Sequence, residues 1–484
     1  MIETLIVKMF GKPIGVLHLN HNGFCEFEYD KSFTKTGIEP SPLLMPATQG
    51  RIFSFMDLDR DTYHGLPGMI ADSLPDSFGQ ALLNQYLEIN DRKHGEANVI
   101  EKLSFQGRRC MGALEFEPAR ETYLDESSLV QLEELQEVAR EALSSKDAFR
   151  SCIENHHQAI LDIIKIGTSA GGQRAKAVIA LNDETGEIRS GQVETPEGFN
   201  YWLLKFDGFD SNGKPVDPAN FGRREYAFSK CVKDAGIEMT ECRLLNEGDR
   251  AHFLTKRFDR TPDKIHMQTL CGLAHYDFHK PGAYSYEQAF GVMRRLKLDY
   301  TANEEFFRRL VFNILSVNMD DHTKNISFLM DKNGTWSLSP AYDMGFSYNP
   351  KGQWANAHQM TIAGKRDNIT FNDLVNLGVR QGIKHPEQLI EQVAGGLAKF
   401  PQYAKEAGVP HEEIDALVYY MKEKSANIFT ATSITLNNRP IKDGSLSTVE
   451  KVDSIKKAGA RAAYDRFVEA EQKALENSKG KIPE

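Results

Sequence analysis

The chain has 484 residues, of which 40% are hydrophobic, and its 58 basic and 68 acidic side chains leave a formal net charge of −10. A chain of this charge has no overall basic field to attract nucleic acid or acidic lipid. This argues against a stand-alone DNA-binding role, although not against a partner that binds DNA. The length suggests about three domains, each large enough for a core.

The six cysteines are widely scattered and no two of them form a CxxC pair, which argues against a zinc site. Residues 1–8 lack the basic segment and the long apolar core of a signal peptide, and they predict a strand instead. No stretch approaches the apolar length that a membrane span requires. We therefore expect a cytoplasmic protein without membrane contact.

Alternating residues near the start of the chain predict a β-meander over residues 4–30. Leu5 and Val7 fall on one face of a first strand, and Asn22–Gly23 has the composition of a hairpin turn. Nothing in this opening region carries obvious chemistry. We expect residues 1–120 to form a β-rich subdomain that packs against the rest of the chain or binds a partner.

An amphipathic helical pattern within residues 121–160 predicts helices that lead into a small lobe over residues 161–260. A loop of this lobe is rich in glycine, which lets backbone N–H groups approach phosphates without a Cβ in the way. A plain hairpin loop explains the same composition about equally well. The candidate phosphate-binding residues of this loop are Gly167, Thr168, Ser169, Ala170, Gly171, Gly172 and Gln173.

One lysine, Lys205, lies inside the apolar run of residues 201–206. A kinase places such a lysine on the α- and β-phosphates of ATP, whereas a solvent-facing edge lysine is the alternative. Glu225, early in a helix predicted over residues 224–235, is a candidate partner for this lysine, as a helix glutamate is in kinases. A solvated helix face explains Glu225 equally well.

The small lobe ends with a strand and its continuation, which contain Lys256, Phe258 and Asp259. A strand that leaves one lobe for another exposes backbone groups to the edge of an adenine. We expect Phe258 to cover the adenine ring and Asp259 to meet the ribose, with Lys256 in the same nucleotide site. A core phenylalanine and a surface aspartate remain the alternatives.

Two polar fragments further along match the chemistry of phosphoryl transfer. A helix predicted to begin at Asn303 leads to Asp320 and Asn325, which stand five residues apart, as do the catalytic-loop aspartate and asparagine of protein kinases. Asp343 then begins an Asp-Met-Gly triplet that is laid out like D-F-G. A predicted hairpin over residues 326–338 lies between the fragments and brings their acidic ends together.

The residue types suit this reaction. Asp320 can orient an attacking hydroxyl and accept its proton, while Asn325 and Asp343 offer hard oxygen ligands to Mg²⁺. Lys324 can neutralise the γ-phosphate, and His322 can take part in catalysis or hold the loop by hydrogen bonds. Since Asp and Asn are common in turns, ordinary loop residues are the alternative for either fragment alone.

With these residues in order, the sequence resembles the HipA family of serine/threonine kinases, the toxins of bacterial toxin–antitoxin pairs. The similarity spans nearly the whole chain to about residue 430, and its most specific motif is the Asp-x-His-x-Lys-Asn string that starts at Asp320. The other matching motifs are Leu74–Asp76, Ala170–Gln173, Arg257–Arg260 and Pro340–Asp343.

The resemblance implies that Asp320 is the catalytic base, that Asn325 and Asp343 bind Mg²⁺ and that Lys205 contacts ATP. The chain departs from the family pattern at Asp321, which replaces the small residue often found after the base. This departure could affect peptide specificity, but it removes no catalytic group.

The resemblance also implies regulation and partners. A loop hydroxyl of the family can be autophosphorylated, which ejects the loop and switches the kinase off, and the matching residue here is Thr168 or its neighbour Ser169. The family commonly pairs with a small helix-turn-helix antitoxin that binds DNA, and known members phosphorylate an aminoacyl-tRNA synthetase. The segment beyond about Ala431 has no match in the family pattern.

We therefore predict an α+β protein with a bilobal protein-kinase-like fold, an added N-terminal β-rich subdomain and a mostly helical C-terminal lobe. The predicted function is an ATP- and Mg²⁺-dependent protein serine/threonine kinase. A nucleotide-binding regulator without transfer activity and a small-molecule kinase are the two rival hypotheses. The predicted domains are residues 1–120, 121–160, 161–260, 261–430 and 431–484.

Overall fold

The computed structural model describes residues 2–75, 79–80, 83, 97–119, 129, 175–208, 220–261 and 263–429. The predicted glycine-rich loop, almost all of the predicted connecting helices and the C-terminal segment from residue 430 lie outside these residues. The chain divides into two compact units. Unit 1 consists of Met1–Ala219, Thr240–His279 and Thr323–Ser339, and unit 2 consists of Asn220–Met239, Lys280–His322 and Pro340–Glu484.

The strands and helices below are numbered in chain order over the described residues. The strands are β1 Thr4–Met9, β2 Lys12–Leu19, β3 Cys25–Tyr29, β4 Ile52–Phe53, β5 Leu114–Glu117, β6 Lys176–Asn182, β7 Ile188–Ser190, β8 Phe199–Lys205, β9 Cys242–Glu247, β10 Arg250–Lys256, β11 Arg260–Thr261, β12 Asp263–Lys264, β13 His266–Thr269, β14 Ser327–Met330 and β15 Trp336–Leu338. The helices are α1 Arg60–Tyr63, α2 Gly68–Ala71, α3 Val99–Gln106, α4 Phe221–Asp234, α5 Leu270–Ala274, α6 Tyr286–Arg295, α7 Tyr300–Leu315, α8 Phe371–Arg380, α9 Pro386–Leu397, α10 Phe400–Glu406, α11 His411–Lys424 and α12 Ala426–Phe429.

The first sheet of unit 1 is antiparallel, with the strand order β4-β3-β2-β1-β5. The predicted meander is confirmed, because β1, β2 and β3 pair with their neighbours in sequence. Leu5 and Val7 are fully buried, whereas Ile6 between them pairs with Val16 and is exposed, as the period of two requires. The buried face packs on α2, α3 and Met330.

The second sheet of unit 1 is also antiparallel, with the order β7-β6-β8-β10-β9. Its strand β8 carries Lys205, as predicted. Trp202 and Leu204 are buried, whereas Leu203 and Lys205 are only partly buried. The lysine therefore lies on the less buried face of a strand that is central in its sheet.

The predicted hairpin is confirmed by the pairing of β14 with β15, in which Phe328 faces Leu338. Gly334 has φ +86°, a conformation that glycine adopts without steric cost and that the turn between the strands requires. Strand β13 pairs with the other edge of β14, so that the hairpin is part of a three-stranded sheet of unit 1.

Unit 2 is mainly helical in its described part, as predicted for residues 371–428. Helix α7 begins at Tyr300 rather than at the predicted Asn303, because the Asp299 side chain caps it by accepting the Ala302 N–H over 2.9 Å. The apolar face of α7, which includes Phe306 and Leu310, is buried. The predicted domain boundaries stay predictions.

Two adjacent glycines of α9 provide a matched test of helix packing in unit 2. A Cβ at Gly396 would lie 2.4 Å from the Ala235 backbone nitrogen, whereas one at Gly395 would have no atom within 4 Å. We expect Gly396→Ala to lower the free energy of unfolding by about 1–3 kcal/mol through overpacking. Gly395→Ala should raise it by up to about 1 kcal/mol, because alanine favours the helix. Urea denaturation measures both, and equal effects of the two substitutions would contradict this packing.

Candidate active site

The loop that carries Asp320 and the loop that carries Asp343 are hydrogen-bonded to each other within unit 2. The Met319 N–H donates to the Ser347 carbonyl over 2.7 Å, and the Asn318 side-chain amide donates to the Asp343 carbonyl over 3.1 Å. These bonds bring the loop of Asp320 next to the loop of Asp343.

Each of these two loops contains a residue with a left-handed backbone. Val317 has φ +58° and Asp343 has φ +52°. A β-branched residue rarely adopts this conformation, because its side chain clashes with the backbone. Val317 is fully buried, and its carbonyl accepts the Ser347 N–H over 3.1 Å. Strained residues persist where the surroundings hold them, and here backbone hydrogen bonds and burial hold Val317.

A tryptophan that belongs to none of the sequence motifs orients the Asp320 carboxylate. The Trp354 indole N–H donates to Asp320 Oδ1 over 2.6 Å, and His322 Nε2 lies 3.7 Å from the same oxygen. The Asp320 side chain is 41% exposed and that of His322 is 13% exposed. The carboxylate is thus held in place and still accessible, as a base that receives a substrate proton must be.

Asp321, the departure from the family pattern, is a buried anchor. Its side chain is 1% exposed and accepts hydrogen bonds from the Tyr286 hydroxyl over 2.8 Å and the Gln359 N–H over 2.7 Å. His358 Nδ1 lies 3.0 Å from Oδ2. Sequence spacing could not reveal this role, because the three partners are 35 to 38 residues away.

Lys324 and Asn325 lie in unit 1, in the short 3-10 helix Thr323–Asn325. The Thr323 hydroxyl donates to the Tyr276 carbonyl over 2.6 Å and fixes the start of this turn. The Lys324 ammonium lies 4.5 Å from the centre of the Phe278 ring, within reach of a cation–π attraction. The predicted role of Lys324 at a γ-phosphate stays a prediction.

Asp72 lies two residues before the Leu74–Asp76 motif, and the positive charge of Lys324 acts on its carboxylate. Its oxygens accept the Thr269 N–H over 2.7 Å and the Thr269 hydroxyl over 2.9 Å. Desolvation raises the pKa of Asp72 to about 6, although the Lys324 charge and the Thr269 hydrogen bonds oppose that shift. The N-terminal region thus contributes a titratable carboxylate close to Lys324, a feature that no spacing in the sequence indicates.

The predicted nucleotide residues of β8 and β10 have aromatic neighbours within unit 1. The Lys205 ammonium lies 5.8 Å from the centre of the Phe253 ring, and the Lys256 ammonium lies 5.9 Å from that of Trp202. Both lysines stay predicted ATP contacts. Glu225 lies in α4 of unit 2, and its predicted pairing with Lys205 also stays a prediction.

Asp259 has a structural role in unit 1. It is fully buried, and its two oxygens accept hydrogen bonds from Arg257 over 2.8 and 2.6 Å and from the Gly112 N–H over 2.7 Å. Burial by itself would raise the pKa of Asp259, but the Arg257 charge and these bonds hold that pKa below its usual value. A carboxylate enclosed in this way does not fit the expected ribose contact. The neighbouring Phe258 is partly buried.

The described residues contain no group of three or more His, Cys, Asp or Glu side chains arranged to hold a metal ion. Mg²⁺ does not need such a group, because it binds to one or two carboxylates together with substrate phosphates and water. Over the same part of the chain, every helix is too short or too polar to cross a lipid bilayer.

The antiparallel sheets, the helical unit 2 and the pair of acidic loops define a protein of kinase-like α+β fold, as the sequence predicted. The model of the HipA-like C-terminal domain matches residues 168–423, more than half of the chain, and that of the HipA N-terminal domain matches residues 5–117. The chain belongs to the HipA family, and the resemblance found in the sequence is confirmed.

A solved structure supports the fold assignment. The chain is similar to a chain in the complex of HipA, HipB and operator DNA from the toxin–antitoxin system of Shewanella oneidensis MR-1. The superposition has a TM-score of 0.60 at 17% sequence identity and covers 88% of this chain and 97% of the other. At this identity the likeness concerns the fold alone.

Two curated relatives share part of the chain. A protein of Haemophilus influenzae named "Putative kinase" is 25% identical over 267 residues, which are 46% of this chain and 78% of that protein. A protein of Sinorhizobium fredii, "Putative kinase Y4dM", is 27% identical over 190 residues, which are 36% of this chain and 44% of that protein.

The structural role of Asp259 can be tested by stability. We expect Asp259→Ala to lower the free energy of unfolding by about 3–5 kcal/mol, because it leaves the buried Arg257 charge without its partner. The control is Asp263→Ala, which removes a pair with Lys332 in which both side chains are more than half exposed and should cost at most about 1 kcal/mol. Urea denaturation measures both, and similar losses would contradict a structural pair.

The raised pKa of Asp72 predicts a pH-dependent stability. The folded state binds the Asp72 proton more tightly than the unfolded state, in which the pKa is near 3.8. The native chain therefore loses stability from this group as pH rises from about 4 through about 6, and Asp72→Asn does not. The stability of Asp72→Asn relative to the native chain should rise between about pH 5 and pH 7.5 in urea denaturation. Asp57→Asn, at an exposed position, is the control, and a difference that stays constant with pH would contradict the shift.

Proposed function

We propose that this chain is an ATP- and Mg²⁺-dependent protein serine/threonine kinase that acts as the toxin of a toxin–antitoxin pair. Membership of the HipA family and two relatives named as kinases support the proposal. The observation that carries it is the hydrogen bond of 3.1 Å from Asn318 to the Asp343 carbonyl, which joins the loop of the candidate base to that of the candidate metal ligand.

In this proposal Asp320 is the catalytic base. Its carboxylate accepts the proton of a serine or threonine hydroxyl while the hydroxyl oxygen attacks the γ-phosphorus of ATP, and the bond from that phosphorus to the β–γ bridging oxygen breaks to release ADP. The hydrogen bond from Trp354 and the accessibility of the side chain support this role. Lys324 is assigned to balance the charge of the phosphoryl group, and His322 is assigned to the loop around the base.

Asp343 and Asn325 are assigned to Mg²⁺, because each side chain would offer the ion a hard oxygen atom. When bound, the ion would neutralise charge on the nucleotide phosphates. Lys205 is assigned to ATP on the basis of the family pattern. Lys256, Phe258 and the glycine-rich loop are assigned to ATP from their residue types and positions in the sequence. Asp259 is left out of this assignment, because its carboxylate is enclosed by Arg257 and Gly112.

The proposal includes regulation and partners. Autophosphorylation of Thr168 or Ser169 would switch the kinase off, and a small helix-turn-helix antitoxin would restrain it and contact DNA. The presence of HipB and operator DNA with HipA in the structurally similar complex supports such a partner. On the basis of the family resemblance, the proposed substrate is a protein of translation such as an aminoacyl-tRNA synthetase.

Two rival functions make different predictions. A nucleotide-binding regulator would bind ATP and transfer no phosphate, while a small-molecule kinase would phosphorylate a metabolite rather than a protein. An accessible and oriented Asp320 favours a transferase over a silent regulator, because a regulator has no need of a held base.

The proposed base can be tested by an isosteric change. Asp320→Asn should keep the fold and lower phosphate transfer by about 10²–10⁴-fold, because an amide cannot accept the hydroxyl proton. Purified protein is incubated with MgATP, alone and with a cell extract, and phosphosites are located by mass spectrometry. Phosphate on Thr168 or Ser169 and on an extract protein is the expected result for the native chain.

The matched control is Asp415→Asn, at a largely exposed position on α11 paired with His411. It should leave transfer unchanged. Near-normal turnover of Asp320→Asn would overturn the assignment of the base. ATP binding by the native chain without any phosphorylated product would favour the silent regulator, and a phosphorylated metabolite would favour the small-molecule kinase.

A further inference from the structure

Trp354 stands out among the residues around Asp320, because neither the motif nor the reaction requires a tryptophan there. It belongs to a loop, residues 349–359, that follows the Asp343 fragment. Its indole N–H lies 2.6 Å from Asp320 Oδ1. A hydrogen bond to an ionised carboxylate is short and strong, so this contact is able to select one orientation of the side chain.

The loop of Trp354 is itself anchored to the chain segment that carries Asp320. The Gln359 side-chain amide lies 2.9 Å from the Met319 carbonyl and 2.7 Å from the Trp354 carbonyl, so one group joins the two segments. The Gln359 N–H donates to the buried Asp321 over 2.7 Å. The indole is thus placed by bonds that reach the residues on both sides of Asp320.

The hydrogen bond from the indole leaves the Asp320 carboxylate able to accept a substrate proton. A carboxylate accepts several hydrogen bonds, about two on each oxygen. Trp354 takes one position on Oδ1, and the Asp320 side chain is still 41% exposed. A partly exposed aspartate without such a donor would sample several rotamers, and each unproductive rotamer would lower the fraction of time in which the base meets the substrate hydroxyl.

We propose that Trp354 is a positioning residue for phosphoryl transfer, whose indole N–H holds the Asp320 carboxylate in the orientation that accepts the substrate proton. This inference rests on the proposed function, since it requires Asp320 to be the base. It assigns to Trp354 no contact with ATP. Removal of the N–H should therefore lower kcat and leave the KM for ATP unchanged.

The test uses Trp354→Phe in the full-length chain, which keeps an aromatic ring and removes the N–H. Transfer of labelled phosphate from MgATP to protein in a cell extract is measured over a series of ATP concentrations. We expect kcat to fall about ten- to a hundred-fold with an unchanged KM for ATP, in keeping with the loss of one positioning bond. Trp336→Phe is the matched control, because that indole donates to a backbone carbonyl, that of Glu39, in unit 1.

A second measurement separates positioning of Asp320 from other roles of the ring. If Trp354 acts through Asp320, Trp354→Phe should cause no further loss of transfer in the Asp320→Asn background. A loss in that background as large as in the native chain would overturn the inference, and so would a rise in the KM for ATP as the main effect. Replacement of Trp354 by 3-benzothienylalanine, in which sulfur replaces the N–H, keeps the ring shape should the phenylalanine variant unfold.

The outcomes also distinguish this inference from the proposed function. Native turnover in Asp320→Asn contradicts the base assignment itself. An inactive Asp320→Asn together with native kcat in a folded Trp354→Phe contradicts only the role of Trp354.

Discussion

A buried carboxylate holds the candidate site of unit 2 together. Asp321 lies directly after the candidate base, and the Tyr286 hydroxyl and the Gln359 backbone are hydrogen-bonded to its oxygens. Burial of a carboxylate is costly unless its lone pairs are satisfied. Since its partners come from α6 and from the loop of Trp354, the need to satisfy this one charge brings three distant segments into a fixed arrangement.

The same arrangement explains how strained backbone persists near the candidate base. Val317 and Asp343 are both left-handed, and each such residue costs about 1–3 kcal/mol. The backbone bonds between Val317, Met319 and Ser347 and the bond from Asn318 to Asp343 offset this cost. The strain therefore belongs to the chain path that places Asp320 and Asp343 on adjacent loops.

Two aspartates of unit 1 show that the surroundings of a carboxylate determine its pKa and its role. Asp259 is enclosed by Arg257 and by the Gly112 N–H, which keep it ionised in a buried position. For Asp72, desolvation outweighs the charge of Lys324 and the Thr269 hydrogen bonds and raises the pKa to about 6. From the sequence, Asp259 was expected to contact the nucleotide and Asp72 had no expected role. The sequence position of a carboxylate does not reveal which distant residues will surround it in the fold.

Local patterns in the sequence were sufficient to predict several strands and helices and to identify the family. The alternation of Leu5 and Val7, the hairpin of residues 327–338 and the spacing of Asp320 and Asn325 involve residues close together in the chain, so the sequence alone predicts them. Helix α7 begins at Tyr300, before the predicted start at Asn303, because the Asp299 side chain caps it. The roles of Asp321, Trp354 and Asp259 required the tertiary structure. Each of them depends on a partner 30 or more residues away or on complete burial, and only the folded chain creates those contacts.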